Sequence, residues 1–568
     1  MNPETKSCQN CKKDFNIEPE DFKFYEKMQV PPPTWCPECR MIRRFSFVNI
    51  RTLYKRSCDL CGASIISMFH RDKKLKVYCN PCWWGDSWDG TEYGMNYDPS
   101  RSFFEQMKEL QSKSPYMALE CTYTTNINTP YTNYTAWQKN SYLTYFGDYV
   151  ENSLYSTILA HIRDCMDCYH IDESELCYGS IGGHKLYNCH FTIDCGDCHD
   201  VHFSRNCYDC SNCFGCVNLR NKNYCIWNKQ HTKEDYKEKV AQINMASWQT
   251  VELTLKEFQE FSFQFPRRFY MGDSRNKKVS GEYVYQSKNA HDVYIGVGVE
   301  DSRFVQFLTL PKTKDAYDYT GWGNNSEKLY ECCVVGEGAS NCRFCSECFS
   351  NARNLEYCIY AANSSKDSFG CINLKKKQYC ILNKQYSKQE YETLKFKIIG
   401  DMDKNPYIDE KGKVYKYGEY FPLMLSPFGY NETIAQEYFP TTETEATKKG
   451  LSWFEKEKPV YKITKKAADL PDDLKDVNKN ILQEVIECMK CKRGYKIIEN
   501  ELNFLGKFGL PIPRYCPECR HRARFVQTNM PKLYHRECMK CQTPIKTSYS
   551  PDRPEIVYCE KCYQAEFL

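Results

Sequence analysis

The sequence predicts a mainly β protein, a parallel β-helix-like solenoid in two related halves with a small four-cysteine zinc module of the treble-clef/zinc-ribbon kind at each terminus. Three observations lead there. Four CxxC pairs occur near the start and recur, offset by 480 residues without a gap, at the end. Between them, short Tyr/Cys/Val/Phe segments return every nine to twelve residues, separated by Asn, Asp, Ser and Gly. A 155-residue offset then maps FGCVNLRNKNYCIWNKQ (214–230) onto FGCINLKKKQYCILNKQ (369–385), so the middle is itself duplicated.

The paired cysteines are Cys8, Cys11, Cys36, Cys39, Cys58, Cys61, Cys79 and Cys82, and their copies Cys488, Cys491, Cys516, Cys519, Cys538, Cys541, Cys559 and Cys562. Phe24/Phe504, Arg40/Arg520, Phe45/Phe525, Asn49/Asn529 and Tyr54/Tyr534 obey the same offset. Eight thiols in four pairs are what two tetrahedral Zn²⁺ sites require, so about four structural zincs per chain are expected. All-sulfur shells leave no position for a reacting water. The pairs could close in order or interleave as a cross-brace.

The stretches CQNCKKDF (8–15) and FYEKMQVPPPTWCPECR (24–40) resemble the probable treble-clef zinc-binding family. CMKCKRGY (488–495) and LPIPRYCPECR (510–520) follow the same pattern, although Leu502-Asn503-Phe504 replaces the family's acidic-aromatic lead-in. That resemblance implies in-order pairing of the first site. The wider layout resembles candidate-phyla-radiation bacterial proteins in which tandem modules of this kind flank a repeat region. KVYCNPCWW (76–84), FGCVNLRNKNYC (214–225), SPFGYNET (426–433) and Phe439-Pro440 carry that likeness, which implies an architecture and no activity.

At 568 residues with 36 cysteines, the chain has room for about three to five domains. No apolar leader follows Met1 and no run approaches a membrane span, which predicts no signal peptide, no membrane contact and a reducing, cytoplasmic setting with thiols as ligands or core residues. The net charge of +4 divides into +6 on residues 1–83, +6 on 487–568 and −8 between them. Basic ends favour an anionic partner. RMIRRFSF (40–47) and its copy RHRARFVQ (520–527) interleave guanidiniums with aromatics, as do Tyr54-Lys55-Arg56 and Tyr534-His535-Arg536. Such patterns hold phosphates and stack bases. Arg40, Arg43, Arg44, Arg56, Arg520, Arg522, Arg524 and Arg536 are therefore the candidate nucleic-acid contacts. The competing readings make them a protein contact or the polar, solvated face of the module's helix.

The organisation expected is a tandem module over 1–90, a helical linker over 91–119, solenoid halves over 120–245 and 246–400, each ending in a helix, an irregular connector over 401–486 and the second module over 487–568. Alternation within segments such as 142–146, 186–191, 292–297 and 304–308 reads as strand, and two consecutive segments would make a coil of roughly twenty residues. Thr232-x-x-Asp235 and Ser387-x-x-Glu390 are helix starts of the capping-box type. Helices are also expected at 100–110, 253–261 and 478–487.

Twenty cysteines lie in the middle. CYDCSNCFGC (207–216) brings an iron–sulfur run to mind, but it has two residues where that run has three before the fourth Cys, Val217 follows in place of Pro, and the 155-residue copy replaces Cys207, Cys210 and Cys213 by Ala362, Ser365 and Ser368. Small apolar rung fillers explain that exchange better. Cys195, Cys198, His199 and His202 with His190, and Cys342, Cys345 and Cys348, are weaker metal candidates. No P-loop, nucleophile elbow or HExxH motif occurs. The function expected is thus non-catalytic zinc binding, with RNA or a ribonucleoprotein gripped by the terminal modules. The alternatives are a protein-assembly scaffold using the solenoid face, and a redox or metal-handling role for the central Cys/His clusters.

Overall fold

From Tyr134 to Trp227 the backbone enters the left-handed region at every third residue, including Gly179, Gly182 and Gly215. Each left-handed residue is a corner and the two between corners are extended, so the chain winds in tripeptide sides. Parallel pairing recurs at four points per turn, as in Asn133↔Tyr145, Ala136↔Asp148, Lys139↔Glu151 and Tyr142↔Leu154. The coil is therefore four-sided and twelve residues long. It is shorter than the roughly twenty residues expected, because the sides repeat every three residues and not as alternating strands. The computed structural model describes residues 2–455 and 461–567.

Asn and Asp tolerate left-handed φ better than other side-chain-bearing residues, and they hold many of the corners. Their amides stack from coil to coil, as Asn140 on Asn152 (3.3 Å) and Asn206 on Asn218 (2.8 Å). The residue after each corner points into the lumen. The lumen is narrow, and Ser, Cys, Val, Leu and Ile fill it: Ser153, Leu159, Ile162, Cys165, Cys168, Val201 and Cys207 are all buried.

The second solenoid begins with the same pitch (Lys288↔Glu300) and lengthens to thirteen residues at Glu327↔Ser340 and Ser340↔Arg353. Doubled left-handed corners at Asn324-Asn325, Ser350-Asn351 and Asn363-Ser364 absorb the extra residue. Both solenoids end alike. An antiparallel turn-back at Lys229–Gln230 or Lys384–Gln385 covers the last coil's edge, and a helix follows. Thr232 caps Lys233–Ala241 by accepting from the Asp235 amide, and Ser387 forms a full capping box on Lys388–Lys404. Tyr236 packs on Tyr224, and Tyr391 packs on Tyr379, at the 155-residue offset.

The other expected helices are Phe103–Lys113, with Ser102 and Glu105 as its capping box, and Trp248–Ser262. Residues 478–487 differ from expectation. Asn478 caps a 3-10 turn over Lys479–Gln483, and Ile486–Glu487 then pairs with Gly494–Tyr495 to carry the chain into the Cys488 knuckle. Of the 401–486 connector, residues 456–460 lie outside the described residues. The rest is mostly short turns and helices, and one of these, Ile434–Tyr438, reaches the centre of the molecule. There Tyr438 lies against both Phe45 and its 480-offset equivalent Phe525 (ring centroids 5.6 and 4.9 Å).

The terminal modules repeat their elements in register. Helix Pro37–Phe45 matches Pro517–Phe525, and the Tyr54–Ser57/Ser64–Ser67 hairpin matches Tyr534–Glu537/Pro544–Thr547. Their docking is crossed. The N-terminal helix packs on the second solenoid near Asp318 and Glu331, and the C-terminal one packs on the first near Asp167. Each module also touches the start of the solenoid next to it in sequence: Asn133 donates to the Asn49 carbonyl, and Asn529 donates to Glu282. The modules meet reciprocally through Glu518 with Arg51 (3.1 Å) and its equivalent Glu38 with Lys532 (2.8 Å). One chain thus forms a pseudo-twofold pair of swapped halves. Among the described residues, no helix is long and apolar enough to cross a membrane.

Candidate metal centres

Each knuckle is built by a tight turn that brings a thiol back over its own backbone. Lys12, Gly62, Lys492 and Gln542 take left-handed φ directly after the second cysteine of the first pair of each site. The second pair of each site opens a helix. Cys36, Cys79 and Cys516 occupy the N-cap position, so free amides point at sulfur. The amides of Cys36, Cys79, Cys516 and Cys559 donate to Cys8, Cys58, Cys488 and Cys538 at 3.2–3.3 Å. These donors favour the thiolate. At Cys58, burial works against it, but the Cys61 and Cys79 amides prevail and lower the pKa to about 7.

The four groups close in order: Cys8, Cys11, Cys36 and Cys39; Cys58, Cys61, Cys79 and Cys82; Cys488, Cys491, Cys516 and Cys519; Cys538, Cys541, Cys559 and Cys562. Within each, the sulfurs lie within 4.8 Å of one another. Across the pairs, Cys11–Cys36, Cys61–Cys79, Cys491–Cys516 and Cys541–Cys559 are 3.7, 3.9, 3.7 and 3.7 Å apart. A tetrahedral ion with bonds of about 2.3 Å needs sulfurs about 3.8 Å apart, whereas a disulfide needs about 2.05 Å. The donor sets therefore fit a metal ion, and all 36 cysteines are free.

The candidate nucleic-acid arginines are placed very differently. Arg40, Arg43 and Arg44 are 0–2% exposed. Arg40 pairs with Asp318 (2.9 Å); Arg43 pairs with Glu331 (3.0 Å) and Glu419 (3.2 Å); Arg44 pairs with Asp318 (3.2 Å) and Glu331 (3.1 Å). Arg44 also donates to Thr320 and Gln306. Three guanidiniums face three carboxylates with solvent excluded, and Arg43 additionally lies 4.3 Å from the Trp35 ring centroid. In the other module, Arg520 pairs with Asp167 and Glu501 (both 2.9 Å), and Arg524 pairs with Asp167 (2.9 Å).

These five arginines bind the protein's own carboxylates, so the expectation that they meet phosphates is corrected for each of them. Arg56 and Arg536 lie within their modules, on Asp59 (2.9 Å) and on the Ser550 carbonyl (3.2 Å). Arg522 is exposed and pairs with Glu518 on its own helix. The sequence signal was real, since arginine and aromatic residues do cluster, but carboxylates distant in the chain supply the anions.

All the central cysteines except Cys121 and Cys333 occupy the lumen. Each of these thiols donates to the carbonyl two residues earlier, and many also donate to one nine or ten residues later: Cys165 to Arg163 (3.3 Å) and Ser174 (3.7 Å), Cys198 to Gly196 (3.1 Å) and Cys207 (3.3 Å), Cys348 to Ser346 (3.3 Å) and Cys358 (3.5 Å). Ser204 bonds the His202 carbonyl in the same way. Cys207, Cys210, Cys213 and Cys216 stand on successive sides of the coil and, among the described residues, are not gathered into a group that could hold a metal. The same is true of Cys342, Cys345 and Cys348. The Cys195/Cys198/His199/His202/His190 set is dispersed: the thiols face the lumen, His199 faces solvent, and His190 lies tilted against His202 (4.9 Å, 49°) and edge-on to Phe508. Burial lowers the His202 pKa to about 4.

Sequence reasoning missed Glu432 of the SPFGYNET stretch. It is buried, pairs with Lys73 (2.6 Å) and accepts from Tyr54 (2.7 Å), tying the connector to the first module. It also missed Asp172, Glu173 and His184, a second kind of ligand set.

No protein-family model matches the sequence, and no curated protein matches it significantly. Among solved structures, the chain aligns with a UDP-N-acetylglucosamine acyltransferase from Campylobacter jejuni at 8% identity, over 49% of this chain and 94% of that one. The TM-score of 0.10 is too low to carry an argument.

Proposed function

We propose that this is a non-catalytic zinc protein that serves as a rigid scaffold for protein assembly. Its terminal modules act as internal clamps and its solenoid faces as docking surfaces. One observation carries the reading: in both modules the helix richest in arginine turns its charge inward, onto the opposite solenoid. Zinc is the ion proposed for the four thiolate groups, because four sulfurs in a tetrahedron suit it and each site is closed to substrate. The lumen role of the central cysteines removes the chief support for redox or metal handling. Nucleic-acid gripping is left with Arg522 as an exposed guanidinium of the two arginine-rich helices.

Two measurements on the zinc-loaded full chain test this. The first is binding of a labelled single-stranded RNA at 50 and 200 mM salt; the scaffold reading expects no salt-sensitive complex. A steep loss of affinity with salt, reporting several neutralised phosphates, would overturn it. The second is cross-linking of the protein in its own cells. Cross-links to partners are expected at exposed solenoid lysines such as Lys139, Lys185 and Lys222, and cross-links confined to the terminal modules would contradict the reading.

A further inference from the structure

The twelve-residue coil builds a second, chemically distinct ligand set on the surface of the first solenoid. Asp172 and His184 are register partners on adjacent coils, and Glu173 occupies the left-handed corner beside Asp172. One ligand atom from each lies within 4.8 Å of the others. Asp172 stands between two histidines, with His184 Nδ1 3.3 Å from Oδ2 and His161 Nδ1, one coil earlier, 3.8 Å from Oδ1. Although the residue is part-exposed, Oδ1 is itself shielded from solvent and has no hydrogen-bond partner. On the Glu173 side, Lys185 Nζ lies 3.9 Å from the carboxylate.

The set also borders a groove of about 660 Å³ that runs along the solenoid. One wall is an aromatic ladder. Trp137 stacks on Tyr149 (5.0 Å, 5°), and Tyr149 stacks on His161 (4.7 Å, 6°). The opposite wall alternates charge, with Lys139, Glu151 and Arg163 on successive coils. Glu173 belongs both to the ligand set and to the groove wall.

We propose that Asp172, Glu173 and His184 bind one divalent transition-metal ion and leave coordination positions open to an oxygen-donor ligand lying in this groove. One imidazole and two carboxylates suit zinc, nickel or cobalt, and the imidazole disfavours magnesium and calcium. Three protein ligands are the number found where a metal keeps a free position, in contrast to the closed all-cysteine shells. Binding requires neutral His184.

The test is calorimetric titration of Ni²⁺ into untagged, zinc-loaded full-length protein at pH 7.5. One saturable equivalent is expected beyond the four structural ions. Asp172→Asn and His184→Ala should each weaken it at least tenfold, while His199→Ala, another exposed histidine of the same solenoid, should leave it unchanged. All three variants should keep the wild-type melting temperature, because the side chains are about half exposed. Absence of a saturable equivalent in the wild type would overturn the proposal. So would an equivalent that survives in the Asp172→Asn/His184→Ala double variant.

Discussion

Replacing Arg44 by Met tests whether the arginines are clamps. In the wild type, Arg40, Arg43 and Arg44 balance Asp318, Glu331 and Glu419. Arg44 is fully buried and donates to four acceptors: Asp318, Glu331, Thr320 and Gln306. Met keeps most of the volume but leaves one uncompensated negative charge in a dry site. Removing one partner of a buried pair costs about 3–5 kcal/mol. Undocking of the first module should therefore become about 100- to 4,000-fold more frequent. The assays are amide exchange across Pro37–Phe45 and the rate at which a chromophoric chelator takes zinc from the full chain. Arg522→Met, which removes an exposed i,i+4 pair, should cost about 0.3–0.5 kcal/mol and change neither readout beyond about twofold. Equal effects from the two substitutions, or an Arg44→Met cost below about 1 kcal/mol, would refute the reasoning.

Three further outcomes are expected. Burial raises the pKa of Glu282 to about 7 despite donors from Ser548, Asn529 and the Met271 amide, so the folded protein retains a proton that the unfolded chain releases near pH 4.5. Stability should fall by about 3 kcal/mol as pH rises from about 4.5 to 7 and then level off. Glu282→Gln should abolish that slope, as read from urea midpoints across the range. Cys213→Ser should cost less than about 1 kcal/mol and leave metal content unchanged, because Ser368 fills the equivalent lumen position; Cys213→Phe should cost about 1–3 kcal/mol or more by overpacking, seen as a lowered melting temperature. Cys8→Ser and Cys488→Ser should each remove one zinc by elemental analysis and expose their own module, not the other, to protease.

The terminal modules were legible because a metal fixes its ligands' spacing, and a gapless 480-residue offset leaves little room for another reading. The destination of the arginines was not. Arg44 and Arg524 find their anions at Asp318 and Asp167, hundreds of residues away, and a guanidinium beside an aromatic looks the same in sequence whether it awaits a phosphate or a buried carboxylate. The solenoid is visible as a repeat, but its coil is twelve residues and not the roughly twenty that paired strand segments suggest. The signal lay in Asp164-Cys165, Asp167-Cys168, Asn188-Cys189, Asp194-Cys195, Asn206-Cys207 and Asp209-Cys210. In each, a residue able to turn left-handed precedes one small enough for the lumen, at multiples of three. Alternation of the strand type hid that triplet. The crossed docking and the place of Tyr438 between Phe45 and Phe525 depend on packing that no local pattern encodes.

Zinc K-edge X-ray absorption on the purified, dialysed protein, combined with its metal-to-chain ratio, addresses the four thiolate centres most directly. The account predicts four zincs per chain, each with four sulfur neighbours at about 2.3 Å and no nitrogen or oxygen in the shell. Fewer than four tightly held zincs, a mixed shell at any of those four, or sulfurs consumed in disulfides would contradict it.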